Sequence, residues 1–123
     1  MTTIHSNSPR DALSRLEVMI AMTGFEIPIR AIRQHIASAM QLVIQAQRLT
    51  GGRRKIINVS EITGMEGDQI QMHDVFLFEQ YGVDEAGHAT GRFISTGIRP
   101  RISERMEHFG IEVPPEVFQR AVL

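Results

Sequence analysis

The sequence predicts an α/β protein in which two helices are followed by a meander of strands and two short terminal helices. Three observations carry that expectation. Apolar residues recur at helical spacing through Leu13, Leu16 and Ile20 and again through Ile29, Ile32, Ile36 and Met40. Leu42, Ile44 and Ala46 then alternate with Gln41, Val43, Gln45 and Gln47, the period of a strand. Beyond them, glycine-bearing turns divide the chain at hairpin-like intervals.

Residues 1–5 read as a short strand, because Thr2, Thr3 and Ile4 are β-branched. Free termini tend to fray, so a strand at the first residue suggests a chain that starts in the middle of a sheet. Ser8-Pro9-Arg10-Asp11 is a helix start: Ser8 can cap, Pro9 suits the first helical position, and Asp11 sits where a capping-box acid belongs. Gly24 is the natural stop. The second helix begins near Pro28, with Arg30, Arg33 and Gln34 turned away from its apolar stripe. Gly51-Gly52, followed by Arg53, Arg54 and Lys55, makes a hairpin tip, and 56–62 is the returning strand. A turn over 64–68 leads to strand segments at 69–73 and 75–80, and a turn over 84–87 leads to a short strand at 92–95. Ile102, Met106 and Phe109 mark a third helix ended by Gly110, and Pro114-Pro115 opens a last one holding Val117, Phe118 and Ala121. No repeat or linker divides residues 1–123, so a single domain is expected.

Composition narrows the function classes. A chain of 123 residues with 42% hydrophobic content can bury a core unaided by disulfides or a metal. Thirteen basic and 14 acidic side chains nearly cancel, so overall charge points to neither nucleic acid nor membrane as a partner. The absence of cysteine removes disulfides and zinc-thiolate sites and suits a reducing cytoplasm. No apolar run approaches the roughly 20 residues that span a bilayer, and the first residues lack the pattern of a signal peptide.

No phosphate-gripping motif of the form G-x-x-x-x-G-K-[ST] is present, and the single lysine, Lys55, lies in the basic hairpin. The five histidines, His5, His35, His73, His88 and His108, include no pair at the i, i+4 spacing of a helical metal site, so no metal is expected. His35, His88 and His108 read as surface residues. His5 differs, because it follows an expected strand and precedes a helix start, where α/β folds place ligand contacts. A loop histidine with a local hydrogen bond is the other reading of the same position. No Gly-x-Ser-x-Gly elbow accompanies Thr2, Thr3 and Ser6, which argues against a hydrolase nucleophile. Arg53, Arg54 and Lys55 read as a solvated turn or as a contact for an anionic partner. Arg30 and Arg33, one turn apart, could meet a neighbouring subunit's acids or simply be solvated.

Beyond these local signals, the stretch Thr3-Ile4-His5-Ser6-Asn7-Ser8-Pro9-Arg10-Asp11-Ala12-Leu13-Ser14-Arg15-Leu16-Glu17 resembles the histidine box and following helix of the tight-adherence (Flp) pilus assembly ATPases, members of the type II/IV secretion ATPase superfamily. The likeness continues through Pro28–Ala39, Glu61–Asp68, Phe76–Glu79, Gly91-Arg92-Phe93, Thr96–Pro100 and Gly110–Pro115, in order and over essentially the whole chain. It implies the C-terminal part of a partial RecA-like P-loop ATPase core, carrying a β-meander and short C-terminal helices. It also implies a cytoplasmic motor at the inner-membrane face, a homo-oligomeric hexameric ring that couples ATP hydrolysis to pilus assembly or secretion and works with inner-membrane platform proteins. His5 would then be the histidine-box sensor of the γ-phosphate, with Thr3 beside it at the nucleotide, and Arg30 and Arg33 would lie near a subunit interface. ATP and Mg²⁺ belong to the complete family members. A full member also carries an N-terminal domain, a phosphate-binding loop and acidic strands ahead of its histidine box, and this sequence has none of them. The chain alone is therefore expected to bind no cofactor and to be inactive. The alternative is a non-enzymatic interaction module that docks on a complete ATPase or a membrane platform.

Overall fold

The computed structural model describes residues 1–123. The first helix, α1 (Pro9–Ala21), begins as its sequence dictates: the Ser8 hydroxyl oxygen accepts the Asp11 N–H at 3.0 Å, with Pro9 in the first turn. The Asp11 carboxylate reaches back to the Asn7 N–H at 2.9 Å and also takes Arg15 Nε at 2.9 Å. After the turn at Gly24, α2 (Ile29–Ala39) starts behind Pro28 without any side-chain cap. Ile32 and Ile36 are its buried pair, whereas Ile29, expected on the same stripe, remains 48% exposed.

Five antiparallel strands follow and lie side by side in chain order: β1 (Leu42–Arg48), β2 (Arg54–Glu66), β3 (Gln69–Val83), β4 (Ala89–Ser95) and β5 (Ala121–Val122). Between β4 and β5 the chain forms α3 (Ile102–His108) and one 3₁₀ turn (Pro115–Phe118). Short hairpins explain the order of β1 to β4, since antiparallel strands need only a tight turn between them, whereas β5 reaches its place beside β4 after the α3 excursion. At the β2–β3 turn, Gly67 has φ +59° and stands first of the two central residues, the position a type II′ hairpin reserves for glycine. Two register shifts bend this pair: Val75 is the extra residue on β3 opposite Val59/Ser60, and Thr63 is the extra residue on β2, next to Gly64 with φ +136°.

The main core lies between the two leading helices and one face of the sheet. Leu13 from α1, Ile32 and Ile36 from α2, and Ile62 and Ile70 from β2 and β3 form a buried cluster, with Leu16, Ile20, Val43, Met65 and Met72 packed around it. On the opposite face, Phe76 stacks on Phe118 from the 3₁₀ turn at 6.0 Å between ring centroids, and Phe78 meets Phe93 at 5.1 Å. Lys55 lays its ammonium 4.6 Å above the Phe78 ring, which makes it a packing residue on β2. Only 15 of 123 residues are buried, so much apolar surface stays outside, notably at Met22, Phe25, Tyr81 and Phe109.

The coarse expectation of a mixed α/β protein with a strand meander is met. Four local expectations are corrected. Residues 1–5 form no strand: β-branched side chains favour an extended backbone, but a strand also needs a ladder, and no strand pairs with this segment. The segments expected at 69–73 and 75–80 are one long strand, because Asp74 stays in register with Ser60 and Val75, buried at 1% exposure, is taken up as a bulge. The turn expected over 64–68 tightens to Gly67-Asp68, since Met65 and Glu66 pair with Ile70 and Gln69. The last helix is a single 3₁₀ turn, and Ala121 belongs to β5, where it pairs with Ser95. No helix is long and apolar enough to cross a membrane.

Candidate functional site

The N-terminal segment lies against the outer edge of the sheet. Thr2, Thr3, Ile4, His5 and Ser6 form one wall of a cleft of about 340 Å³, and Ala12 and Leu16 of α1, Met40, and β1 residues 42–46 form the rest. A paired contact tethers the segment: the Ser6 hydroxyl donates to Gln45 Oε1 at 3.1 Å, and Gln45 Nε2 donates to the Ser6 carbonyl at 3.0 Å. Gln45 is buried through this exchange, which explains a polar residue with 7% exposure on an edge strand. The chain then passes Asn7 and enters the Ser8-capped helix, so the position of His5 follows from two fixed points, Ser6 and Ser8.

His5 and Thr3 are both exposed at this cleft. The structure therefore brings the two sequence-predicted nucleotide contacts onto one rim, with an apolar floor behind them. Nearby, Asp11 is held below its usual pKa of 3.8, chiefly by the Asn7 N–H and secondly by the Arg15 guanidinium. It is thus an anion at neutral pH, and it closes the loop that carries His5 into α1. The cleft holds no lysine or arginine among its lining residues.

The two arginines expected at a subunit interface have different fates. Arg33 is engaged within the chain: Nε lies 2.9 Å from Glu17 Oε1, Nη2 lies 3.5 Å from Glu17 Oε2, and Nη1 donates to the Asp68 carbonyl at 3.0 Å. It ties α2 to α1 and to the β2–β3 turn. Arg30 is 63% exposed and makes only a loose contact with Asp68, at 3.5 Å. Neither arginine lines the His5 cleft.

One polar constellation escaped sequence reasoning. Glu61 on β2 and His73 on β3 are register partners, with Oε1 and Nε2 3.2 Å apart. The Glu61 side chain is 3% exposed, and its Oε2 accepts the Ile102 N–H, 3.2 Å away, at the start of α3. The facing Glu61 Oε1 and His73 Nε2 are buried but too poorly aligned to hydrogen-bond each other, and neither has a hydrogen-bond partner elsewhere. Arg101 adds a second link from the start of α3, donating to the Thr63 carbonyl at 3.1 Å. An acid in a run as apolar as Ile56 to Ile62 was the available signal, but its histidine partner becomes visible only with the hairpin register. No group of three or more His, Asp or Glu side chains is placed to hold a metal ion.

Set against known proteins, the sequence matches no family model and no curated protein.

Proposed function

We propose that this chain is the histidine-box and C-terminal part of a motor ATPase of the type II/IV secretion superfamily, of the kind that assembles Flp pili. The observation that carries the reading is the joint exposure of Thr3 and His5 on a rim held between the Ser6–Gln45 tether and the Ser8 cap. A neutral or protonated imidazole there can donate to a phosphate oxygen and lose that contact when the phosphate leaves, which is what a sensor requires. In this reading a RecA-like core carries the phosphate-binding loop, Mg²⁺ and the acidic strand, and packs beside the His5 rim. The ring and its membrane platform belong to the same proposal, with the exposed Arg30 as the arginine available to a neighbour.

The test is His5→Ala in the complete ATPase, with nucleotide affinity measured beside steady-state hydrolysis. One hydrogen bond to the transferring phosphate, worth on the order of 1–3 kcal/mol, predicts roughly a tenfold to hundredfold loss in turnover. Affinity should change much less, because the phosphate loop does the gripping. Equal turnover in both proteins makes His5 a loop histidine. The chain by itself should show no tight ATP binding by calorimetry, in line with its lack of a phosphate-loop motif.

A second reading, a non-enzymatic module that docks on another protein, is favoured by one observation: the end of α1 and the turn after it leave Met22 79% and Phe25 72% exposed. Retention of this chain by a complete secretion ATPase, with no effect of His5→Ala, would select it.

A further inference from the structure

We propose that the α1–α2 hairpin is a self-complementary surface through which two copies of this chain associate about a two-fold axis. The inference concerns the chain as it stands and does not rest on the ATPase reading. Within residues 18–29, Val18, Met19, Met22, Phe25, Ile27 and Ile29 are 58%, 57%, 79%, 72%, 39% and 48% exposed. Val18 and Met19 stand in the last turn of α1, Met22 is its C-cap one turn beyond Val18, and Phe25, Ile27 and Ile29 follow through the turn into α2. On α1 the buried side is the opposite one, carried by Ala12 and Leu13, and on α2 burial begins only at Ile32, one turn after Ile29.

Area and charge together select a second copy as the occupant. From those exposures the six residues together leave on the order of 600 Å² of largely apolar surface in water, at the upper end of the roughly 300–600 Å² of the largest patch on an ordinary monomer. Doubled by symmetry, this falls within the roughly 1,200–2,000 Å² that stable interfaces bury. The charge pattern is also self-complementary. Between Val18 and Arg30 the chain carries one acid, Glu26, and one base, Arg30. Glu26 has no ion-pair partner, and Arg30 has only its 3.5 Å contact with Asp68. An isologous pairing can set each Glu26 against the partner's Arg30 at the rim of an apolar centre. A surface meant for anionic lipid would carry an excess of bases, which this one lacks.

Sedimentation equilibrium and light scattering over a concentration series provide the test, on the wild-type chain and four variants. The expected wild-type mass is twice the 13.9 kDa of one chain at high concentration. Phe25→Glu combined with Met22→Glu should weaken association by on the order of a hundredfold or more, because each copy loses two central apolar side chains and gains like charges. Both positions are exposed, so the circular dichroism spectrum and thermal midpoint of the monomer should stay the same. Glu26→Arg should weaken the dimer, and the addition of Arg30→Glu should restore it. A wild-type chain that remains monomeric at the highest concentrations overturns the proposal. So does a dimer that survives the Met22/Phe25 change but dissociates with Ile44→Lys, which would place the contact on the edge strand β1. Sedimentation with anionic phospholipid vesicles that is abolished by the Met22/Phe25 change, with no dimer in solution, would assign the hairpin to a membrane instead and equally overturn it.

Discussion

Arg33→Ala is the substitution that best separates a structural arginine from an interface arginine. The Arg33 and Glu17 side chains are 23% and 16% exposed, so the pair lies between a solvated surface bridge and a fully buried one. Surface bridges contribute about 0–1 kcal/mol, and breaking a buried one costs about 3–5 kcal/mol. Arg33 also satisfies the Asp68 carbonyl, and its loss strands Glu17 in a half-buried position. We therefore expect about 2 kcal/mol of destabilisation. With a urea dependence of roughly 1–3 kcal/mol per molar for a small protein, the midpoint should fall by about 1 M. A double-mutant cycle with Glu17→Ala isolates the pairwise coupling, expected at about 1–2 kcal/mol. Arg30→Ala, with a 3.5 Å contact and an exposed guanidinium, should cost no more than about 0.5 kcal/mol. A coupling near zero, or an Arg33→Ala chain as stable as wild type, would refute the assignment of Arg33 to the α1–α2–turn junction and return it to the pool of interface residues.

Other expectations follow from single contacts. Leu13→Ala, at 2% exposure in the centre of the helix–sheet cluster, should cost about 2–4 kcal/mol by urea unfolding, whereas Met22→Ala at 79% exposure should be close to neutral. Because the Asp11 pKa is depressed in the folded chain, its stabilising contribution is complete above 3.8 and is lost as pH falls through the folded value. Thermal midpoints of Asp11→Asn should therefore fall less steeply than wild type on acidification, and parallel acid limbs would contradict the Asn7–Asp11–Arg15 arrangement. At Gly91 an added methyl would collide with the Glu79 carbonyl oxygen and the Phe78 ring, so Gly91→Ala should destabilise the β3–β4 pairing by on the order of 1–3 kcal/mol, measurable as faster amide exchange along both strands.

How much of this was legible in the sequence depended on the range of the interactions. Ser8, Pro9 and Asp11 act within one helical turn, and they set the start of α1 as read. Gly51-Gly52 and the 84–87 turn were likewise local and were found where expected. Strand ends were less legible, because Met65, Glu66, Ala89 and Thr90 join ladders only through partners in other strands. The first segment shows the same limit in reverse: Thr2, Thr3 and Ile4 have strand-forming side chains but no ladder to join. At the site, His5 could be singled out from its place ahead of a strong helix start. The Ser6–Gln45 exchange that holds it spans 39 positions and leaves no trace in local patterning. Glu61 and His73 were missed for that reason too, since their pairing requires the β2–β3 register, including its bulges.

The way His5 is held bears on what a phosphate sensor needs. A group that reports the presence of a phosphate must be positioned well enough to meet it and loosely enough to move when it goes. Residues 1–6 contribute nothing to the sheet ladder, and their side-chain anchor is the Ser6–Gln45 pair, whereas the α1 start immediately after them is fixed by the Ser8 cap and the Asp11 carboxylate. Two neutral hydrogen bonds are worth only about 1–3 kcal/mol together, so this segment belongs to the low-stability end of the molecule. Displacement of Ser6 would leave the buried Gln45 amide unpaired, which penalises release and favours return. A rim that opens at small cost and recloses onto a waiting partner is compatible with a nucleotide-responsive role.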